Sequence, residues 1–199
     1  ALTAARWVKE AGGEVCFDGT HFIPALWPLL PVVDYLIVSR FFASEFAAHV
    51  DGHGEGRAAA LFAGEPGGST SHPAAVHPGA EQVPALEGER LLEVAGRLRS
   101  HGPRVVVVTE GEHGSWCASE EGEYHVRAFP VPHMVDTTGA GDVFHGAFLF
   151  ARALGREVRE ALEMAAATAA LKCRALGGRT GIPTLEEVRT LIESEGTRN

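Results

Sequence analysis

The sequence predicts an α/β fold with a mostly parallel central sheet flanked by helices, on three observations. Short apolar runs alternate with segments of helical periodicity from the first residues onward. The run 104–110 (RVVVVTE) carries four consecutive valines, as a central strand buried on both faces does. Two amphipathic stretches, near 140–154 and 158–173, supply helices to cover such a sheet. At 199 residues the chain can build one domain with a substantial core, and we treat 1–199 as that single unit.

The elements follow in order. Leu2, Ala5 and Val8 share a helical face that Gly12-Gly13 should end. Residues 14–18 (EVCFD) predict a short buried strand, and Pro24, Pro28 and Pro31 should break up what comes next. Residues 34–39 (DYLIVS) predict a second strand and about 42–49 a helix. The stretch 51–88 is rich in Gly, Pro and His, so an irregular surface segment is expected. Leu91, Val94, Ala95 and Leu98 are spaced for one helical face. Residues 116–119 and 124–131 predict a hairpin after the valine strand. Thr184 and Glu187 form a capping box for a last helix with Leu185, Val188, Leu191 and Ile192 on its apolar face.

The formal charge of −9 argues against a nucleic-acid surface, because phosphate backbones attract basic stripes. No apolar run approaches the roughly 20 residues of a membrane helix, and no signal peptide is visible. Cys16, Cys117 and Cys173 form no CxxC pair, so buried free thiols in a reducing cytoplasm are expected. His49, His53, His72 and His77 suggest a metal cluster only on paper. Solvated loop histidines are the expectation, since Gly52 should break any helix aligning the first pair. The chain enters its first helix at Ala1 without a capping residue, which reads as the C-terminal piece of a longer protein.

The chemistry concentrates in 136–144 (DTTGAGDVF). An extended stretch feeds it, and Phe144, Ala147, Phe148, Ala151 and Leu154 continue at helical spacing. Gly139, Ala140 and Gly141 therefore sit at a loop-to-helix junction, where free backbone N–H groups and the helix dipole form an anion hole. Asp142 lies in the first turn beside it, placed to align an attacking hydroxyl and take its proton during phosphoryl transfer.

This segment resembles the second signature of the ribokinase-like (PfkB) carbohydrate kinases, D-T-T-G-A-G-D-x-F-x-G-A. The resemblance implies a three-layer ribokinase-like fold, Asp142 as catalytic base and Gly139, Ala140 and Gly141 as the anion hole. Asp136 matches an aspartate that in many members belongs to a monovalent-cation loop, so the resemblance implies K+ there; a plain turn anchor is the alternative. Gly177-Gly178 fits the later cation loop loosely. Thr109, Gly111 and Gly114 fit the family's T-x-G-x-x-G loop, which contacts ATP, and the glycines allow close backbone approach. Glu110 departs from what phosphates favour, unless it points away or meets Mg2+.

Other departures bear on activity. Where the family often carries N-x-x-E for the Mg2+–phosphate region, this chain has Ser39-Arg40-Phe41-Phe42; Glu45 is a substitute or a solvated helix residue. The helix segment 165–170 offers alanines and Thr168 where some members place an asparagine near adenine. His145 either tunes the base or packs between helix and loop, the second being favoured. The family's N-terminal sugar-binding part and lid are not recognisable in the chain. The expectation is an ATP-dependent sugar kinase using ATP and Mg2+ on a small-molecule sugar, with a homodimer set by the family's lids. A nucleoside kinase or an inactive nucleotide-binding relative is the alternative.

Overall fold

The computed structural model describes residues 1–53, 85–131 and 133–195. Among these residues five strands form one sheet in the order β1-β2-β3-β4-β5: Cys16–Gly19, Tyr35–Ser39, Val105–Thr109, Ser115–Ser119 and Glu123–Val126. The first three run parallel; β4 and β5 add an antiparallel hairpin. Six α-helices are described: α1 Leu2–Glu10, α2 Arg40–His53, α3 Glu89–Arg99, α4 Ala140–Ala153, α5 Val158–Lys172 and α6 Leu185–Glu195.

The two-residue alternation of the strands divides the core into two layers. Leu36, Val38, Val106 and Val108 face a cluster with Phe42, Phe46, Leu91, Val94 and Leu98 from α2 and α3. Tyr35, Ile37, Val105 and Val107 face the other way, onto Phe144, Phe148, Val158, Leu162 and Val188 from α4, α5 and α6. Helices thus cover both faces of β3, and burial of its valines contributes about 1.5–3 kcal/mol each. The capping box forms as expected: Thr184 N–H donates to Glu187 Oε2 at 2.8 Å, and Glu187 N–H donates to Thr184 Oγ1 at 3.3 Å.

Three expectations need correction. The proline-rich stretch is a 3-10 helix, Pro24–Val32, because prolines remove donors from an α ladder while shorter turns still bury Trp27, Leu29 and Leu30. Helix α2 continues through Gly52 to His53, since a glycine weakens a helix by only about 1 kcal/mol. His49 accordingly lies on a helix and packs at a tilt near Phe22 and Trp27, not in a solvated loop. His72, His77 and most of 51–88 lie outside the described residues. Among the described residues no group of three His, Cys, Asp or Glu could hold a metal ion, and no helix is long and apolar enough to cross a membrane.

Candidate functional site

The parallel strands end at Gly19, Ser39 and Thr109, along one edge of the sheet, the edge where open α/β sheets bind ligands. Both glycine-bearing motifs converge on a cavity of about 480 Å³ lined by Thr109, Gly111, Gly114, Thr137, Ala140 and Gly141. Its apolar wall comes from Phe129, Phe144 and the α5 residues Ala166, Ala169 and Ala170. The alanines of α5 therefore leave room where a longer side chain would fill the cavity.

Helix α4 begins at Ala140 behind Gly139, which takes the left-handed conformation at φ +78°. A Cβ there would lie 3.1 Å from Gly178, so two loops meet backbone to backbone at this point. The Ala140 N–H donates to the Thr137 carbonyl at 3.0 Å, which removes it from the three-residue anion hole anticipated from the sequence. Among the described residues the N–H groups of Gly139, Gly141 and Asp142 meet no protein acceptor. Asp142 thus replaces Ala140 among the open donors, as expected where a tight turn closes on the first helical residue.

Asp142, third in the helix, is exposed and borders a second cleft of about 600 Å³ with Val143, Thr168, Gly178 and Arg179. Asp136 sits differently. Its Oδ1 accepts from Thr138 N–H at 2.9 Å and its Oδ2 from Gly177 N–H at 2.7 Å. The Thr138 amide, then the Gly177 amide, hold this carboxyl down at about 2. Gly177-Gly178 is thereby brought against the 136–139 loop.

The second motif is more structural in its details. The Thr109 hydroxyl donates to the Val38 carbonyl at 3.3 Å, joining β3 to β2. A Cβ on Gly114 (φ +100°) would collide with the Val126 carbonyl, so the turn into β4 requires glycine there. Gly111 (φ +59°) has open space beside it. Glu110 points away from the cavity: it is buried, accepting from the Trp116 indole N–H at 2.7 Å and from Gly88 N–H at 3.2 Å.

Ser39 and Phe42 form no ligand pair: the Ser39 hydroxyl caps α2 by accepting from Phe42 N–H at 3.2 Å, and Phe42 is buried. Glu45 is not simply solvated; it accepts from Phe22 N–H at 2.7 Å and lies 2.9 Å from His21 Nδ1. His145 packs between α4 and the sheet edge, with Nδ1 2.7 Å from the Gly141 carbonyl and Nε2 3.1 Å from the Ile37 carbonyl. Asp18 approaches the same Nε2 at 3.3 Å. One residue of this region escaped sequence reasoning. Lys172, fully buried at the end of α5, donates from Nζ to the Asp136 carbonyl at 2.9 Å. A lysine after six apolar or small residues gives no periodic signal that distinguishes it from a solvated helix end.

A family model described as pfkB family carbohydrate kinase matches residues 77–185, more than half of the chain. The chain belongs to the pfkB family. Ribokinase of Bacillus subtilis (strain 168) is 39% identical to this pfkB-family chain over 90 residues, covering 45% of the chain and 30% of that protein. Among solved structures, Arabidopsis thaliana ribokinase complexed with ribose and ATP superimposes with a TM-score of 0.71 at 23% identity, covering 96% of this chain and 51% of that one. A putative ribokinase II from E. coli in complex with ATP and Mg2+ gives 0.63 at 25% identity, covering 96% and 52%. These likenesses place the fold among the ribokinase folds. The pfkB-family chain spans about half the length of the solved relatives, and its match spans about a third of the curated one.

Proposed function

We propose that residues 1–199 form the nucleotide-binding and phosphoryl-transfer part of an ATP-dependent sugar kinase. In this reading MgATP and a sugar hydroxyl give a sugar phosphate, ADP and a proton, and Asp142 aligns the hydroxyl and receives that proton. The observation that carries it is the first turn of α4. Open main-chain amides there adjoin a cavity shared with the 109–114 loop, and the exposed Asp142 carboxylate of the same turn borders the second cleft.

The chemistry follows from that turn. The α4 N-terminus and the open amides around Gly139 and Gly141 favour the charge on a phosphoryl group in transit. Thr109, Gly111 and Gly114 bound the space for the nucleotide, with the α5 alanines against its base. Mg2+ is expected to enter on the nucleotide phosphates, where it neutralises charge, since the described residues offer no cluster of three acids or histidines. Two of the thiols are held protonated: burial first, helped by Asp18, pushes Cys16 up to about 11. Burial first, then the Glu121 charge, pushes Cys117 up to about 12. Such thiols suit the reducing cytoplasm.

The test is ADP release from MgATP by the chain across a panel of ketoses, aldoses and nucleosides. Release that depends on one sugar supports the proposal; release only with nucleosides moves the substrate class. A second reading, a nucleotide-binding relative without turnover, draws on the loss of a ligand pair at Ser39 and Phe42. Nucleotide binding with no acceptor phosphorylated would favour it.

A further inference from the structure

The loops 135–139 and 172–178 are knotted around one charge. The amides of Val135 and Asp136 donate to the Cys173 carbonyl at 2.8 and 3.2 Å. Gly177 N–H donates back to the Asp136 carboxylate, and Gly139 packs on Gly178. At the centre lies Lys172, with no solvent exposure and its ammonium 2.9 Å from the Asp136 main-chain oxygen. Burying an ammonium is costly unless it is placed against fixed oxygens and a counter-charge. Asp136 supplies both, its carbonyl in direct contact and its carboxylate in the same turn.

A monovalent metal ion at this spot would need several oxygen ligands drawn from the same loops. The oxygens of Asp136 are already committed: Oδ1 to Thr138 N–H, Oδ2 to Gly177 N–H and the main-chain oxygen to Lys172. A second cation against that carbonyl would stand beside the ammonium and be repelled by it. The residues present therefore do not fit K+.

We infer that the Lys172 ammonium is the built-in cation of this loop, of the same charge as K+ and fixed to the main chain by its own helix. It holds the Asp136 carbonyl, and through the Asp136–Gly177 and Gly139–Gly178 contacts it sets the loop from which α4 starts. Lys172 is thus a positioning residue, and the protein neither needs nor responds to K+. The catalytic consequence rests on the kinase reading; the cation consequence does not.

The experiment compares thermal unfolding of the chain, without nucleotide, in KCl and in tetramethylammonium chloride at equal ionic strength. Wild type is expected to melt at the same temperature in both. A saturable rise of roughly 5 °C in KCl, the size expected for a site filled about a hundredfold above its dissociation constant, would overturn the inference. Lys172→Met keeps the stem and removes the charge. It should melt several degrees lower in tetramethylammonium and recover in KCl, with MgADP affinity recovering in parallel. A folded Lys172→Met that ignores K+ would also overturn it, and if that variant does not fold, the wild-type comparison decides alone. Failure of the kinase reading is seen separately, as no MgADP binding in either salt.

Discussion

Two glycines separated by one residue should respond to alanine in opposite ways. At Gly139 the backbone is left-handed (φ +78°), which costs an alanine about 1–2 kcal/mol. Its new Cβ would also stand 3.1 Å from Gly178 Cα and O, so the 177–178 loop must yield by a few tenths of an ångström. Together these predict a loss of about 1–3 kcal/mol, which in a domain of this size is a fall of roughly 3–10 °C in Tm. At Gly141 a Cβ meets nothing within 4 Å and the backbone is helical, so alanine should stabilise by up to about 0.5–1 kcal/mol. That methyl group, however, stands beside an open amide at the mouth of the cavity. Gly141→Ala should therefore melt slightly higher than wild type while binding MgADP more weakly, by about tenfold. Scanning calorimetry and isothermal titration of both variants check this. The reasoning is refuted if Gly139→Ala melts with wild type, or if Gly141→Ala binds nucleotide unchanged.

Two further outcomes follow from groups outside that turn. Trp116→Phe removes the indole N–H from buried Glu110 and should cost about 1–3 kcal/mol in urea unfolding, whereas Glu110→Gln, which can still accept that bond, should cost less. The Asp136 carboxyl lies at about 2 when folded against an ordinary 3.8, so between these values the unfolded chain binds the extra proton. Its stabilisation is complete above about pH 4 and is lost as the pH falls through about 2. In Asp136→Asn the dependence of the urea midpoint on pH should flatten across that window; an unchanged slope would contradict the assignment.

Much of this architecture could be inferred from local pattern. The valine run 105–108, the α3 positions Leu91, Val94, Ala95 and Leu98, and the Thr184–Glu187 box each depend on neighbours in sequence, and each formed where expected. The errors came from long-range context. Pro24, Pro28 and Pro31 signalled a break, yet tertiary burial of Trp27 organised them into a 3-10 helix. Helix α2 ran past Gly52 because packing of Phe42, Phe46 and Val50 outweighs one weak residue. At the site, Thr109, Gly111, Gly114, Thr137, Ala140 and Gly141 line one cavity, but local pattern did not disclose the hydrogen bond that takes the Ala140 amide out of play. Nor did it mark Lys172, since only the fold shows that this helix end turns inward.

The central claim is that the Asp142 carboxylate acts on the acceptor hydroxyl rather than on the nucleotide. Once an acceptor sugar is in hand, Asp142→Asn should be compared with wild type for kcat and for MgADP affinity. The account predicts a kcat lower by at least about a thousandfold, at the strong end of general-base effects, with nucleotide affinity within about threefold. Turnover that survives the substitution, or nucleotide binding that vanishes with it, would contradict the account.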